Sequence, residues 1–123
     1  MAQKENRFHL LWLDWPYDAF RLNGESLKLY RSLAGDDEVK AVKSEKAFLK
    51  ELPKATTVVT WQFKKEWFNF ATNLRVLATP AAGRELLPVE ADMPKGVVKL
   101  HGSFHGQIMS ETVIACVFAY ARG

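Results

Sequence analysis

Hydrophobic and polar positions change period repeatedly along this 123-residue chain, and the changes mark out strands alternating with helices. Phe8 to Trp15 (FHLLWLDW) is a continuous apolar run closed by Asp14 and Pro16. It is too short for a buried helix and reads as a strand buried on both faces. Asn23-Gly24 can open a helix that carries Leu27, Tyr30 and Leu33 at intervals of three, with Gly35 suited to end it. Glu38 to Lys43 (EVKAVK) alternates with period two, so one face is wet, as on an edge strand. Ser44 is a natural N-cap for a helix with Ala47, Phe48 and Leu52 on one face, stopped by Pro53. Ala55 to Trp61 (ATTVVTW) is β-branched and reads as a central strand. Lys64 to Asn73 can be helical, turning Trp67, Phe68, Ala71 and Leu74 inward. Leu74 to Thr79 (LRVLAT) is the next strand, ended by Pro80, and Leu86-Leu87 forms a short helical turn before Pro88. A strand from Val97 to His101 follows Gly96, and Gln107 to Tyr120 is a last helix, apolar nearly all round after Glu111.

Strands that alternate with helices imply a parallel sheet covered by helices on both faces. Five strands in this length fit a flavodoxin-like three-layer α/β sandwich with strand order 2-1-3-4-5, ending in a long helix. Ligands of such sheets sit outside the carboxyl ends of the strands. Chemistry is therefore expected in the segments that follow the strands: Asp14-Pro16, Ser44, Gln62-Lys64, Pro80-Glu85 and Gly102-Gly106.

Composition narrows the class. Apolar residues make up 48% and charged residues 25%, ample for one globular core and against disorder. The 17 basic residues outnumber the 14 acidic ones by only three, and the lysines are scattered among acidic neighbours as on a solvated face. No basic block interleaved with aromatics exists, so no nucleic-acid partner is expected. The single cysteine, Cys116, excludes an internal disulfide framework, and its apolar helix predicts a buried, inert thiol. No apolar stretch reaches the roughly 18 residues of a membrane span, and the charged MAQKENR start is not a signal peptide, so a soluble cytoplasmic protein is expected.

Several chemistries are excluded by their missing motifs. Neither G-x-G-x-x-G nor a P-loop is present, and there is no G-x-S-x-G elbow. The loop after the first strand, Asp14-Trp15-Pro16-Tyr17-Asp18, is not the Ser/Thr-rich phosphate loop of a flavodoxin. Trp61-Gln62 stands where a receiver domain would place its acceptor Asp. His9 lies inside a strand and reads as packed core, whereas His101 and His105 sit at or beyond the last strand without a third candidate metal ligand. The aromatic cluster Trp61, Phe63, Trp67, Phe68 and Phe70 exceeds what one helix face can bury, so part of it should face a cleft or a partner.

Thr79-Pro80-Ala81-Ala82-Gly83-Arg84-Glu85 is the most informative stretch. Small residues just past a strand let backbone N–H groups point outward with little cover, an arrangement that can hold a carboxylate or phosphate. The same spacing also suits a plain tight turn.

In the second half of the chain, Leu74-Arg75-Val76-Leu77-Ala78-Thr79-Pro80-Ala81-Ala82-Gly83-Arg84-Glu85 resembles the Leu-Lys-x-Ile-x-Thr-x-Ser-Ala-Gly-Val-Asp stretch of the D-isomer-specific 2-hydroxyacid dehydrogenases. Met93-Pro94-Lys95-Gly96-Val97 is similar to their Leu-Pro-x-Gly-Val, and Phe104-His105-Gly106-Gln107-Ile108-Met109-Ser110-Glu111 to their Val-His-Gly-x-x-Ile-Ala-Glu. The helix up to Ala121-Arg122 is similar to the family's long linker helix, so the likeness spans residues 74 to 122. Arg84-Glu85 stands in place of the usual Val-Asp, Pro80-Ala81 in place of a small-residue or Ser pair, and Ser110 in place of Ala.

The resemblance implies a flavodoxin-like substrate domain over residues 1–105 and a crossover helix over 106–123 that leads to a Rossmann domain binding NAD or NADP. The Ala82 and Gly83 amides would hold the carboxylate of a 2-oxo or 2-hydroxy acid, and Trp61, Gln62 and Phe63 would flank its side chain. His105 and Glu111 would lie at the domain junction. The family's glycine fingerprint and its catalytic Arg, Glu and His belong to the second domain. By itself the chain would therefore be the inactive substrate-binding half of an oxidoreductase, with no catalytic residue, cofactor or metal of its own. It would be prone to self-association through the apolar helix. The alternative is a stand-alone, non-enzymatic module of the same fold that binds a small anion or a protein partner.

Overall fold

The computed structural model describes residues 7–14 and 21–123. The end of the first apolar run, at Trp15, and the loop through Asp18 lie outside the described residues. Five strands form one sheet: β1 (Phe8–Trp12), β2 (Glu38–Ala41), β3 (Thr57–Thr60), β4 (Val76–Thr79) and β5 (Val98–His101). Their order is β2-β1-β3-β4-β5, and every neighbouring pair is parallel. Among the described residues three α-helices accompany them: α1 (Gly24–Ala34), α2 (Glu45–Glu51) and α3 (His105–Arg122). The flavodoxin-like α/β fold expected from the alternation is the fold observed.

Local chemistry explains the helix boundaries. Asn23 accepts from Ser26 N at 2.8 Å and Ser44 from Ala47 N at 3.2 Å, each satisfying an amide that the first helical turn leaves free. Gly35 ends α1 with φ of 65°, a left-handed conformation that a side chain would oppose. Beyond α2 the chain makes one further 3-10 turn, Leu52–Lys54, which tolerates Pro53 because that ring needs no N–H partner there.

The period of two along each strand sorts the sheet's faces. Phe8, Leu10, Val58 and Leu77 point to one face, where they join Phe48, Leu52, Trp67, Leu74 and Leu87 in the core. Phe48 is fully buried and meets Trp12, Phe63 and Trp67 at ring-centroid distances of 5.0, 6.3 and 5.3 Å. On the opposite face Leu11 is also fully buried, and His9 meets Tyr30 of α1. His9 Nδ1 lies 2.8 Å from the Tyr30 hydroxyl and Nε2 lies 3.2 Å from Asp37 Oδ2, so this histidine is packed and partnered, as expected. Burial, and then the charge of Asp37, raise the Tyr30 hydroxyl above its ordinary pKa.

Two helical expectations need correction. Lys64 to Asn73 is not an α-helix but a 3-10 turn, Lys65–Asn69, although Trp67, Ala71 and Leu74 are buried as foreseen. Phe63 N donates to Leu86 O at 3.0 Å, which joins the link from β3 to β4 to the segment that follows β4. Leu86-Leu87 is a turn rather than a helix, and the helical turn comes later, at Glu90–Asp92, beyond Pro88. Leu33 does not face inward, being 80% exposed, and α1 buries no residue.

Helix α3 stands apart from the core. Every residue from Gly106 to Arg122 is exposed, including Ile108, Val113, Ile114, Val117 and Phe118. Cys116 is exposed too, which corrects the expectation of a buried thiol. The sheet face near β5 is left half-open, with Val98 and Leu100 exposed. Among the described residues no helix is long and apolar enough to cross a membrane.

Candidate functional site

The carboxyl edge of the sheet brings three loops together around Thr79. The Thr79 hydroxyl donates to Trp61 O at 3.3 Å and accepts from Ala81 N at 3.2 Å. One side chain therefore joins the loop after β3 to the loop after β4. The loop after β5 is attached by backbone: Gly102 N donates to Thr79 O at 3.0 Å and shares its hydrogen with Ala81 O at 3.2 Å. The β4–β5 register, in which Thr79 is the partner of His101, brings these atoms together.

Gly102 has to be glycine for steric reasons. A Cβ there would run into the Pro80 carbonyl group, backbone that cannot swing aside. The same close approach sets His105, at the start of α3, against this junction, with its Cε1 at 3.4 Å from that Cβ position. The His105 ring stacks on Phe104 at 4.1 Å between centroids.

Ala82 is exposed and Gly83 half-buried just past this clamp. Among the described residues nothing accepts from either amide. The Glu85 carboxylate folds back over Gly83, 2.5 Å from where a Cβ would stand. Close by, both ring nitrogens of His101 and Nδ1 of His105 are buried without a hydrogen-bond partner among the described residues. Buried polar atoms are nearly always paired in folded proteins, so orphans grouped at one edge mark a place where a polar ligand or water is wanted.

The chain matches no known family profile, and no curated protein matches it.

Of the residues singled out from sequence, Ala82, Gly83, Trp61, Gln62 and His105 all fall on this edge. Trp61 and Gln62 are half-buried, their carbonyls accepting from Thr79 and Thr60. Phe63 is different: it is 4% exposed, and its ring packs on Trp67 and Phe68 at 5.4 and 4.9 Å in the core. Glu111 is exposed on α3, about 9 Å along the axis from His105, and is not brought to the cradle. Sequence reasoning placed Thr79 and Gly102 in the right segments but gave no role to the Thr79 hydroxyl, the Gly102 amide or the His101 ring. A hydroxyl residue directly before Pro at a strand end, and a glycine directly after the last strand, were the available signals. His101 ends β5, as the strand expected from Val97 to His101 implies, whereas His105, expected beyond the strand in a loop, begins α3. Among the described residues no three His, Cys, Asp or Glu side chains converge as a metal site would need.

Proposed function

We propose that this chain is the substrate-binding part of a D-2-hydroxyacid dehydrogenase-like 2-oxo acid reductase of the cytoplasm. The Ala82 and Gly83 amides would take the carboxylate of a small 2-oxo or 2-hydroxy acid. The observation that carries this reading is the pair of uncommitted amides at the carboxyl edge, clamped by Thr79 and Gly102 beside two histidines with unpartnered buried nitrogens. Two N–H groups in line suit the two oxygens of a carboxylate, and such charge-assisted bonds are the stronger kind. Glu85, lying over Gly83, would have to swing aside for a ligand, and as an exposed side chain it can.

The residues present do not fit a nicotinamide dinucleotide. The chain has no G-x-G-x-x-G, and the segment after β1 presents Asp14, whose Oδ1 is 3.4 Å from Arg21 Nε, where a pyrophosphate would need amides. Hydride transfer would therefore depend on a separate Rossmann domain that holds NAD or NADP. The exposed apolar flank of α3 is suited to such a domain. The same flank also suits a protein partner in the second reading, a non-enzymatic anion-binding module of this fold.

Titration of the labelled chain with glyoxylate or pyruvate, followed by amide NMR, tests the assignment. Saturable shifts should centre on Ala82 and Gly83 and extend to His101 and His105, with no response to NADH. Gly83→Val should weaken the 2-oxo acid about 10- to 150-fold, the loss expected for one charge-assisted bond. Shifts confined to other residues would remove the carboxylate from Ala82-Gly83, and micromolar NADH binding would overturn the division of labour. Sulfate or acetate binding as tightly as a 2-oxo acid would favour the non-enzymatic module.

A further inference from the structure

Three ring nitrogens at the carboxyl edge, Nδ1 and Nε2 of His101 and Nδ1 of His105, are buried without a partner. The third histidine of the chain is treated differently. His9 has the Tyr30 hydroxyl 2.8 Å from Nδ1 and Asp37 Oδ2 3.2 Å from Nε2, so both of its nitrogens are engaged. A buried polar atom left unpaired forfeits its hydration for nothing, and a group of them at a sheet's ligand-facing edge calls for a polar visitor.

Backbone geometry sets both rings against the residues that lead into the cradle. Thr79 is the strand partner of His101, and such partners carry their side chains on one face with their backbones about 4.8 Å apart. The Thr79 hydroxyl accepts from Ala81 N at 3.2 Å, so the His101 ring flanks the side chain that fixes Ala81. His105 approaches from the start of α3: its Cε1 is 3.4 Å from the Cβ position at Gly102, a position that abuts the Pro80 carbonyl. The next residue after Ala81 is Ala82, where the uncommitted amides begin.

The chemistry of the ring narrows what it would meet. A neutral imidazole carries one N–H and one bare nitrogen, so it donates and accepts, whereas lysine and arginine only donate and a carboxylate only accepts. An oxygen that is a carbonyl in one redox state and a hydroxyl in the other needs a donor in the first and can use an acceptor in the second. Histidine serves both without any change of residue.

We propose that His101, assisted by His105, holds the oxygen on C2 of the bound acid and so makes the edge select 2-oxo and 2-hydroxy acids over plain carboxylic acids. This rests on the assignment of the carboxylate to the Ala82 and Gly83 amides and adds the group that reads the adjoining carbon. C2 is bonded directly to the carboxyl carbon, so its oxygen falls beside those amides. A plain acid would cover the same nitrogens and offer them nothing, which is how a buried polar site rejects an analogue that lacks one oxygen.

The test compares pyruvate, lactate and propionate, three acids of equal chain length, on the full chain by amide and ring-nitrogen NMR. All three should shift Ala82 and Gly83. Pyruvate and lactate should bind about ten- to a hundredfold more tightly than propionate, the range set by leaving buried nitrogens unpaired. Only those two should move the His101 ring signals. His101→Phe keeps the bulk of the ring and removes both nitrogens, so the preference should vanish while propionate binds as before. His101→Asn should restore part of it, and His105→Phe should lower it less. Removing unpaired buried atoms should leave the melting temperature of the free His101→Phe chain unchanged or higher. A melting temperature that falls with the preference intact would mean that the ring is only structural and would overturn the proposal. Propionate binding as tightly as pyruvate at Ala82 and Gly83 would also overturn it, while the carboxylate assignment stood. Absence of any shift at those two amides would remove the carboxylate assignment and, with it, the role given to His101.

Discussion

Adding one methyl group to Gly102 tests how the carboxyl edge is assembled. The Gly102 amide is shared between Thr79 O at 3.0 Å and Ala81 O at 3.2 Å, and its Cα faces the Pro80 carbonyl so closely that a Cβ would stand 2.9 Å from the carbonyl carbon. Because the obstacle is backbone, Gly102→Ala has to push the two loops apart and break the shared bond. Losing it, with two carbonyls left short of a donor, should cost about 2 kcal/mol. For a chain of this length that is a fall of about 8 °C in Tm. Gly83→Ala is the matched control. Its Cβ would meet only the Glu85 carboxylate, at 2.5 Å, and that exposed side chain can rotate into solvent, so the change should stay within about 0.5 kcal/mol. Thermal melts and urea titrations by circular dichroism, on both variants and the parent, decide it. If Gly102→Ala melts with the parent, the three loops are not clamped as described, and the cradle loses its support.

Three further outcomes are expected. Phe48→Ala, at the fully buried centre of the aromatic core, should lower the urea-unfolding free energy by about 3–5 kcal/mol, and a loss under 1 kcal/mol would mean that the core collapses around the gap. The Lys40 ammonium, 2.9 Å from Glu51, holds that buried carboxyl below its ordinary pKa of 4.5, with Lys54 and Lys50 adding to the effect. The bridge therefore stabilises fully above pH 4.5 and fades as pH falls through the lowered value, so the stability gap between the parent and Glu51→Gln should close below about pH 4.5 and stay constant above it. Through the exposed apolar flank of α3, the chain should bind a hydrophobic dye and sediment heavier than a monomer, and Ile114→Ser with Phe118→Ser should reduce both signals.

Much of the architecture was legible in the order of residues, and the limits of that reading have physical causes. The alternation of β-branched runs with capped helical segments predicted five parallel strands, and right-handed crossovers leave few ways to arrange them. Asn23, Ser44 and Gly35 mark real boundaries because each acts on backbone groups within three residues of itself. Inward positions such as Trp67, Ala71 and Leu74 were also readable, but an α-helix and a 3-10 turn can bury the same residues. The pattern of inward positions therefore does not distinguish the two, and the chain takes the tighter turn over Lys65–Asn69. The apolar character of α3 was plain from its residues, while its exposure, and that of Cys116, depends on what lies beside it.

The sequence by itself determined local matters: which segments extend, where α1 and α2 begin, and that Ala82 and Gly83 carry no bulk of their own over their amides. Tertiary structure alone decided that Thr79 would face Trp61, that Gly102 would lie against Pro80, and that His101 and His105 would gather beside the cradle. The Thr79–Trp61 contact follows from the pairing of Val59 with Ala78, and the other two from the pairing of Thr79 with His101 across 22 residues of chain. Register is set by the summed burial of both faces of the sheet, not by any one residue, and a slip of one position would turn every side chain on the strand to the other face.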